Sequence, residues 1–269
     1  KTASAILSGL VGSEMCIRDR NKTTGGNYNF NGNVTFKGGS GVKFTGTSPS
    51  IDTDGEASSI DFETGITLVD AAALGLTTED GAVTVAAISG TNLNATTDLT
   101  INSGAGDTSL TGALGTDLGN VTVTSTGVIN LANSITTAAG AVDINGAVQL
   151  QTADIVITTA NGTVDFSSTI DNKSGQTRAL NITSGEGAVG LGSTTAHIGT
   201  TTALGSLTIN DATGDGDGNI TLRGNIGSKG DSGAKGAGTV TIGNGATAIL
   251  DFDGTAYNTG AATYTGESI

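Results

Sequence analysis

Thirteen short triplets set two aliphatic or Phe residues around one polar residue, and they recur along the whole chain. They read VTF (34–36), VKF (42–44), IDF (60–62), VTV (83–85), LTI (99–101), VTV (121–123) and VDI (142–144). The series continues as VQL (148–150), VDF (164–166), LNI (180–182), LTI (207–209), ITL (220–222) and VTI (240–242). Apolar–polar–apolar alternation is the two-residue period of a strand with one face buried. Gly, Asn, Asp or Ser bounds each triplet, and these residues tolerate sharp turns. No stretch carries a convincing helical period.

Spacing separates the possible all-β architectures. Strand starts fall at Val121, Val128, Ile135, Val142, Val148, Ile155 and Val164, a step of about seven residues. Every third step returns to a similar triplet after 21 or 22 residues. Three short strands per coil of that length predict a right-handed parallel β-helix, a β-solenoid in which each coil stacks on the one below. A sandwich would need longer strands with turn signals every 8–12 residues or so. Ten to eleven coils are expected between Gly25 and Tyr264, a rod on the order of 50 Å long at one strand spacing per coil. Two stretches break the pattern: VDAAALGLTTEDGAV (69–83), a short helix or a loop, and RGNIGSKGDSGAKGAG (223–238), a loop leaving one corner.

Composition agrees with a narrow core repeated many times. Aromatics make up only 3% of the 269 residues and Trp is absent, so Val, Ile, Leu and Ala must fill the interior. The 44 glycines accompany a single proline, which excludes a collagen-like or proline-rich chain. The formal net charge of −14 opposes nucleic-acid or anionic-membrane binding, which needs clustered Lys and Arg. No apolar run approaches the roughly 18 residues that span a bilayer, so membrane insertion is not expected.

Few residues suggest chemistry. In DATGDGDGN (211–219), Asp211, Asp215, Asp217 and Asn219 alternate with Gly, as oxygen ligands do in a calcium loop. No Glu stands where an EF-hand needs its bidentate ligand, and a Gly/Asp corner between two strands accounts for the same residues. Calcium is the one cofactor considered, and no metal ligand is assigned. His197 is the only histidine and lacks the partners of a zinc site. It also has no nucleophile elbow for a Ser–His–Asp arrangement. Asp143 and Asp165 occupy the outward position of triplets one coil apart, the kind of pair that sugar-cleaving β-helices use. Tyr28, Tyr257 and Tyr264, the only tyrosines able to stack on a sugar ring, lie near the ends. A polyanionic substrate would need Lys or Arg that this face is not expected to carry. No catalytic or cofactor-binding residue is assigned, and no enzymatic activity is expected.

The segment VGSEMCIRDR (11–20) has a different character. It holds the only Met, Met15, the only Cys, Cys16, and the arginines Arg18 and Arg20. Without residues 1–20 the chain has 8 basic and 23 acidic groups and a net charge of −15. A lone Cys cannot form an intrachain disulfide, and Cys16 has no ligand-forming neighbours. The string resembles translated sequencing-adapter sequence. Residues 1–20 are therefore read as a non-native or disordered leader that does not join the β-ladder, and residues 21–269 as a single β-helix domain, a fragment of a longer repeat protein.

TTALGSLTINDATGDGDGNITLRGNIG (201–227), GTAYNTGAATYTGESI (254–269) and the NGTVDFSSTIDN (161–172) type of run resemble repeats of very large bacterial surface proteins of the filamentous-haemagglutinin-like kind. The resemblance covers roughly residues 25–269. It implies a right-handed β-helix secreted to the cell surface, with a role in adhesion or matrix formation. The expected function is thus a structural, adhesive segment whose partners are surface glycans or proteins of host or neighbouring cells. End-to-end self-association through open coil edges is a further expectation. A β-helix that binds or cleaves polysaccharide is the alternative.

Overall fold

The computed structural model describes residues 14–18, 22–24, 26–37, 41–54, 57–69, 72–91, 97–115, 117–210, 218–227, 236–243 and 248–267. Among them there is no helix, and every strand pairing is parallel. The chain winds as a β-solenoid with three faces. The first face stacks β3 (Asn27–Phe30), β6 (Ser50–Thr53), β9 (Leu74–Thr78) and β12 (Leu99–Asn102). It continues through the first halves of β15 (Val121–Leu131) and β17 (Val142–Leu150), then β19 (Val164–Phe166), β22 (Val189–Leu191), β24 (Ile220–Leu222) and β26 (Leu250–Phe252).

The second face stacks β4 (Asn33–Lys37), β7 (Ile60–Phe62), β10 (Val83–Val85), β13 (Thr108–Leu110), the second halves of β15 and β17, and β20 (Ile170–Asn172). Single parallel bridges carry it on through Ile198, Ile226 and Tyr257. The third face runs from β2 (Lys22–Thr24) through β5 (Val42–Phe44), β8 (Ile66–Leu68), β11 (Ile88–Gly90), β14 (Leu114–Gly115) and β16 (Ile135–Thr137). It ends with β18 (Ile155–Thr159), β21 (Ala179–Thr183), β23 (Leu204–Ile209), β25 (Ala237–Ile242) and β27 (Thr259–Tyr264). Because β15 and β17 bend around a corner without breaking, the first two faces form one continuous hydrogen-bonded sheet of 16 strands.

All thirteen triplets lie in these strands, with both apolar residues inward. The 21- and 22-residue coil holds in the middle, where Val121 lies opposite Val142 and Val142 opposite Val164. Elsewhere coils are longer: Val189 follows Val164 by 25 residues, and Ile220 and Leu250 follow by 31 and 30. With one strand per coil, the first face stacks ten strands, separated by nine turns, and the third face eleven.

Two further expectations are corrected. Residues 69–83 are neither helix nor loop throughout, because Leu74–Thr78 forms β9 with Leu74 and Leu76 in the core. Residues 14–18 do join the ladder. Glu14–Arg18 forms β1 and pairs with β4, Met15 opposite Val34 and Ile17 opposite Phe36. The free N–H and C=O groups at the edge of β4 accept an extended segment as a further strand.

The core is a set of columns along the rod axis. On the first face one column runs Leu74, Leu99, Val121, Val142, Val164, Val189, Ile220 and Leu250, each at most 2% exposed. Like-on-like stacking suits aliphatic side chains of similar volume and needs no large aromatic centre. Phe36 and Phe62 stack at 4.3 Å, and Phe44 meets Phe62 edge-on.

Candidate functional site

Most polar side chains at the corners are occupied in holding one coil to the next. A corner amide has no strand partner, so it needs another acceptor. Carboxylates and amides from an adjacent coil supply it: Asp80 accepts from Ala105 N, Asp98 from Asn120 N, Asp107 from Val128 N and Asp154 from Ala179 N. Asn33, Asn120 and Asn161 do the same for Ser59, Ala141 and Glu186. Buried hydroxyls form a second series with the spacing Ser/Thr-x-x-Gly. Thr78, Ser103, Thr137, Thr159 and Ser184 donate to the carbonyls of Gly81, Gly106, Gly140, Gly162 and Gly187 at 2.5–2.7 Å. Much of the chain's acidity and its Thr and Gly content thus serves architecture.

The residues singled out in the sequence fall into this pattern. Asp211, Asp215 and Asp217 lie outside the described residues. Asn219 is exposed, and its Oδ1 accepts from Ile249 N of the next coil at 3.2 Å. Among the described residues no three His, Cys, Asp or Glu side chains gather as metal ligands. His197 bridges three coils: Nδ1 accepts from Asn225 N at 3.2 Å, and its carbonyl accepts from Ile170 N at 3.2 Å. With Nδ1 serving as an acceptor, the ring proton sits on Nε2.

Asp143 and Asp165 are register partners on the first face, as their spacing predicts. Asp165 is also paired to Arg223, whose Nη2 lies 2.7 Å from Oδ1 and 3.1 Å from the Phe166 carbonyl. This face therefore carries the Arg it was expected to lack. Arg223 lies two coils above Asp165 and reaches it because the coil between presents Gly190, where a Cβ would stand 2.5 Å from Asp165 Oδ1. Half-exposed as it is, the pair contributes about 0–1 kcal/mol. A carboxylate held this way is a poor partner for Asp143 in acid–base catalysis.

Tyr257 and Tyr264 belong to the C-terminal coils, where both meet Phe252 edge-on at 5.2 and 5.1 Å. Burial raises both phenols above 10.0. Tyr28 packs beside Phe30 at the other end. None of the three stands near the Asp143–Asp165 pair in register, so no aromatic platform faces those carboxylates.

One feature was not legible in the sequence. A groove of about 240 Å³ opens on the second face beside β17 and β20. It brings Val128, Ala147 and Gln149 together with Asp171, Asn172 and Thr201, residues up to three coils apart. No family model, curated protein or solved structure matches the chain. Its function is read from the solenoid and from this surface.

Proposed function

We propose that the chain is a structural, non-enzymatic segment of a large secreted or cell-surface bacterial β-helical protein, of the filamentous-haemagglutinin-like kind, with an adhesive role. The observation that supports this most is the unbroken register of the inward columns over nine turns. Such a column bends only by parting coils, so the rod is stiff and carries its loops away from whatever anchors it. Side-chain carbonyls that cross from coil to coil at the corners add to that stiffness. The acidic surface keeps rods soluble and apart.

The reading is tested with beads coated with the purified chain. They are expected to adhere to host or bacterial cells, and soluble chain is expected to compete. Beads that adhere to no cell surface above an uncoated control would overturn the adhesive role. The second reading, a polysaccharide-binding module, is favoured by the groove on the second face.

A further inference from the structure

We infer that Asn161 is a site of spontaneous deamidation, where an exposed corner of the solenoid converts its carboxamide to a carboxylate with water as the only reagent. The residue lies between β18 and β19, at the turn from the third face to the first. Three observations meet there.

The first is the backbone. Asn161 has a φ of +126°, whereas Ala57, Asp117 and Asn210 have +58°, +69° and +45°, around the left-handed helical well. A residue with a side chain held outside that well stores strain. The second is the neighbour. Gly162 follows, and its N–H meets no acceptor among the described residues. At two corners of the same Ser/Thr-x-x-Gly spacing, Gly106 N donates to Ser103 O at 2.8 Å and Gly187 N to Ser184 O at 3.0 Å. The Thr159–Gly162 corner leaves its amide free where those two bind theirs. The third is the carboxamide. Asn161 is exposed, and its Oδ1 accepts from Glu186 N of the next coil at 2.9 Å. An N–H at that distance stabilises the negative charge that develops on the oxygen when a nucleophile adds to Cγ.

Gly162 N adds to Asn161 Cγ, the bond from Cγ to Nδ2 breaks, and ammonia leaves with the proton that the Gly162 amide gives up. The product is a succinimide. Water then opens the ring, at Cγ to give aspartate or at the main-chain carbonyl to give isoaspartate, in which the chain runs through Cγ and the strain at Cα is released. Either product adds a negative charge beside the exposed Glu186. Isoaspartate also lengthens the main chain where the Gly162 and Gly187 backbones already lie too close for a methyl group. Deamidation thus loosens the seam between these two coils as the rod ages, whether or not the chain is adhesive.

The test incubates the whole chain at neutral pH and follows each Asn–Gly pair by peptide mass spectrometry, which reads the exchange of amide for acid. Two described pairs serve as references. Asn31–Gly32 begins with an exposed Asn and Asn145–Gly146 with a half-buried one, and neither Asn has a positive φ. Asn161 is expected to react about fivefold or more faster than either, the rate equivalent of about 1 kcal/mol, where such strain begins. In denaturing urea the three rates should converge. Asn161→Gln, which closes a larger ring far less readily, should lose the mass change at this position and keep the wild-type far-UV circular dichroism. A folded-state rate at Asn161 no higher than at Asn31 would overturn the inference. So would a faster rate at Asn161 that persists in urea, which assigns it to the neighbouring residues rather than to the corner.

Discussion

At Gly162 an added methyl carbon would stand 2.0 Å from the Gly140 carbonyl oxygen, and at Gly187 it would stand 2.1 Å from that of Gly162. Gly119, Gly140, Gly162, Gly187 and Gly218 form a column at the corner between the third and first faces, where successive backbones lie too close for any side chain. Space rather than backbone angle makes glycine necessary here. Gly162→Ala is expected to cost about 1–3 kcal/mol, the range for forcing atoms into a packed site, and denaturant unfolding measures it. At Asp61, burial raises the carboxyl above 3.8, Glu63 pushes the same way, and Lys37 pulls against both. Such a group holds its proton more tightly in the folded chain. Its contribution to stability is full below the unfolded pKa and is lost as pH rises through the folded value. Asp61→Asn should therefore raise the melting temperature slightly near neutral pH and change it little near pH 3, read from parallel thermal melts.

Among the strands, VTF and VDI announce themselves, and β16 and β18 were legible from their starts at Ile135 and Ile155, whereas β6 and β9 were not. All four of β6, β9, β16 and β18 end on an inward Thr: Thr53, Thr78, Thr137 or Thr159. In isolation such a Thr reads as a turn residue. Buried at no more than 2% exposure, it is satisfied by a carbonyl three to five residues on, so it belongs to the strand and caps the corner at once. β1 is the opposite case, a segment of foreign composition whose backbone pairs with β4. Because a solenoid gains stability coil by coil, loss of a terminal strand leaves the remaining columns whole. A chain without residues 1–20 should keep its far-UV spectrum, with a melting temperature within a few degrees of the full chain. Loss of cooperative melting would show that β1 is needed to start the stack.

For the whole molecule, one direction dominates. Each coil contacts its neighbours above and below, and nine turns at about 4.8 Å make the stacked part of the rod roughly 45 Å long. A net charge of −14 on that rod opposes compaction along its whole length. Raising NaCl from about 10 mM to about 500 mM shortens the screening length several-fold, so the melting temperature is expected to rise. A fall would mean that ion pairs such as Lys37–Glu63 outweigh the repulsion between like charges.

The fold class and the direction of stacking were written in the sequence. Period-two triplets that return after 21 or 22 residues in the middle of the chain have few other ways to bury both apolar residues. The sequence also determined that Asp143 and Asp165 would be neighbours, because a 22-residue step is one coil. Only the tertiary structure decided what such neighbours do. Arg223 reaches Asp165 across Gly190, from 58 residues away. The groove likewise joins Val128 to Thr201 through coils of unequal length. Local alternation is written in adjacent residues. Which side chains share a surface depends on where each loop rejoins the stack, and that is settled only when the coils pack.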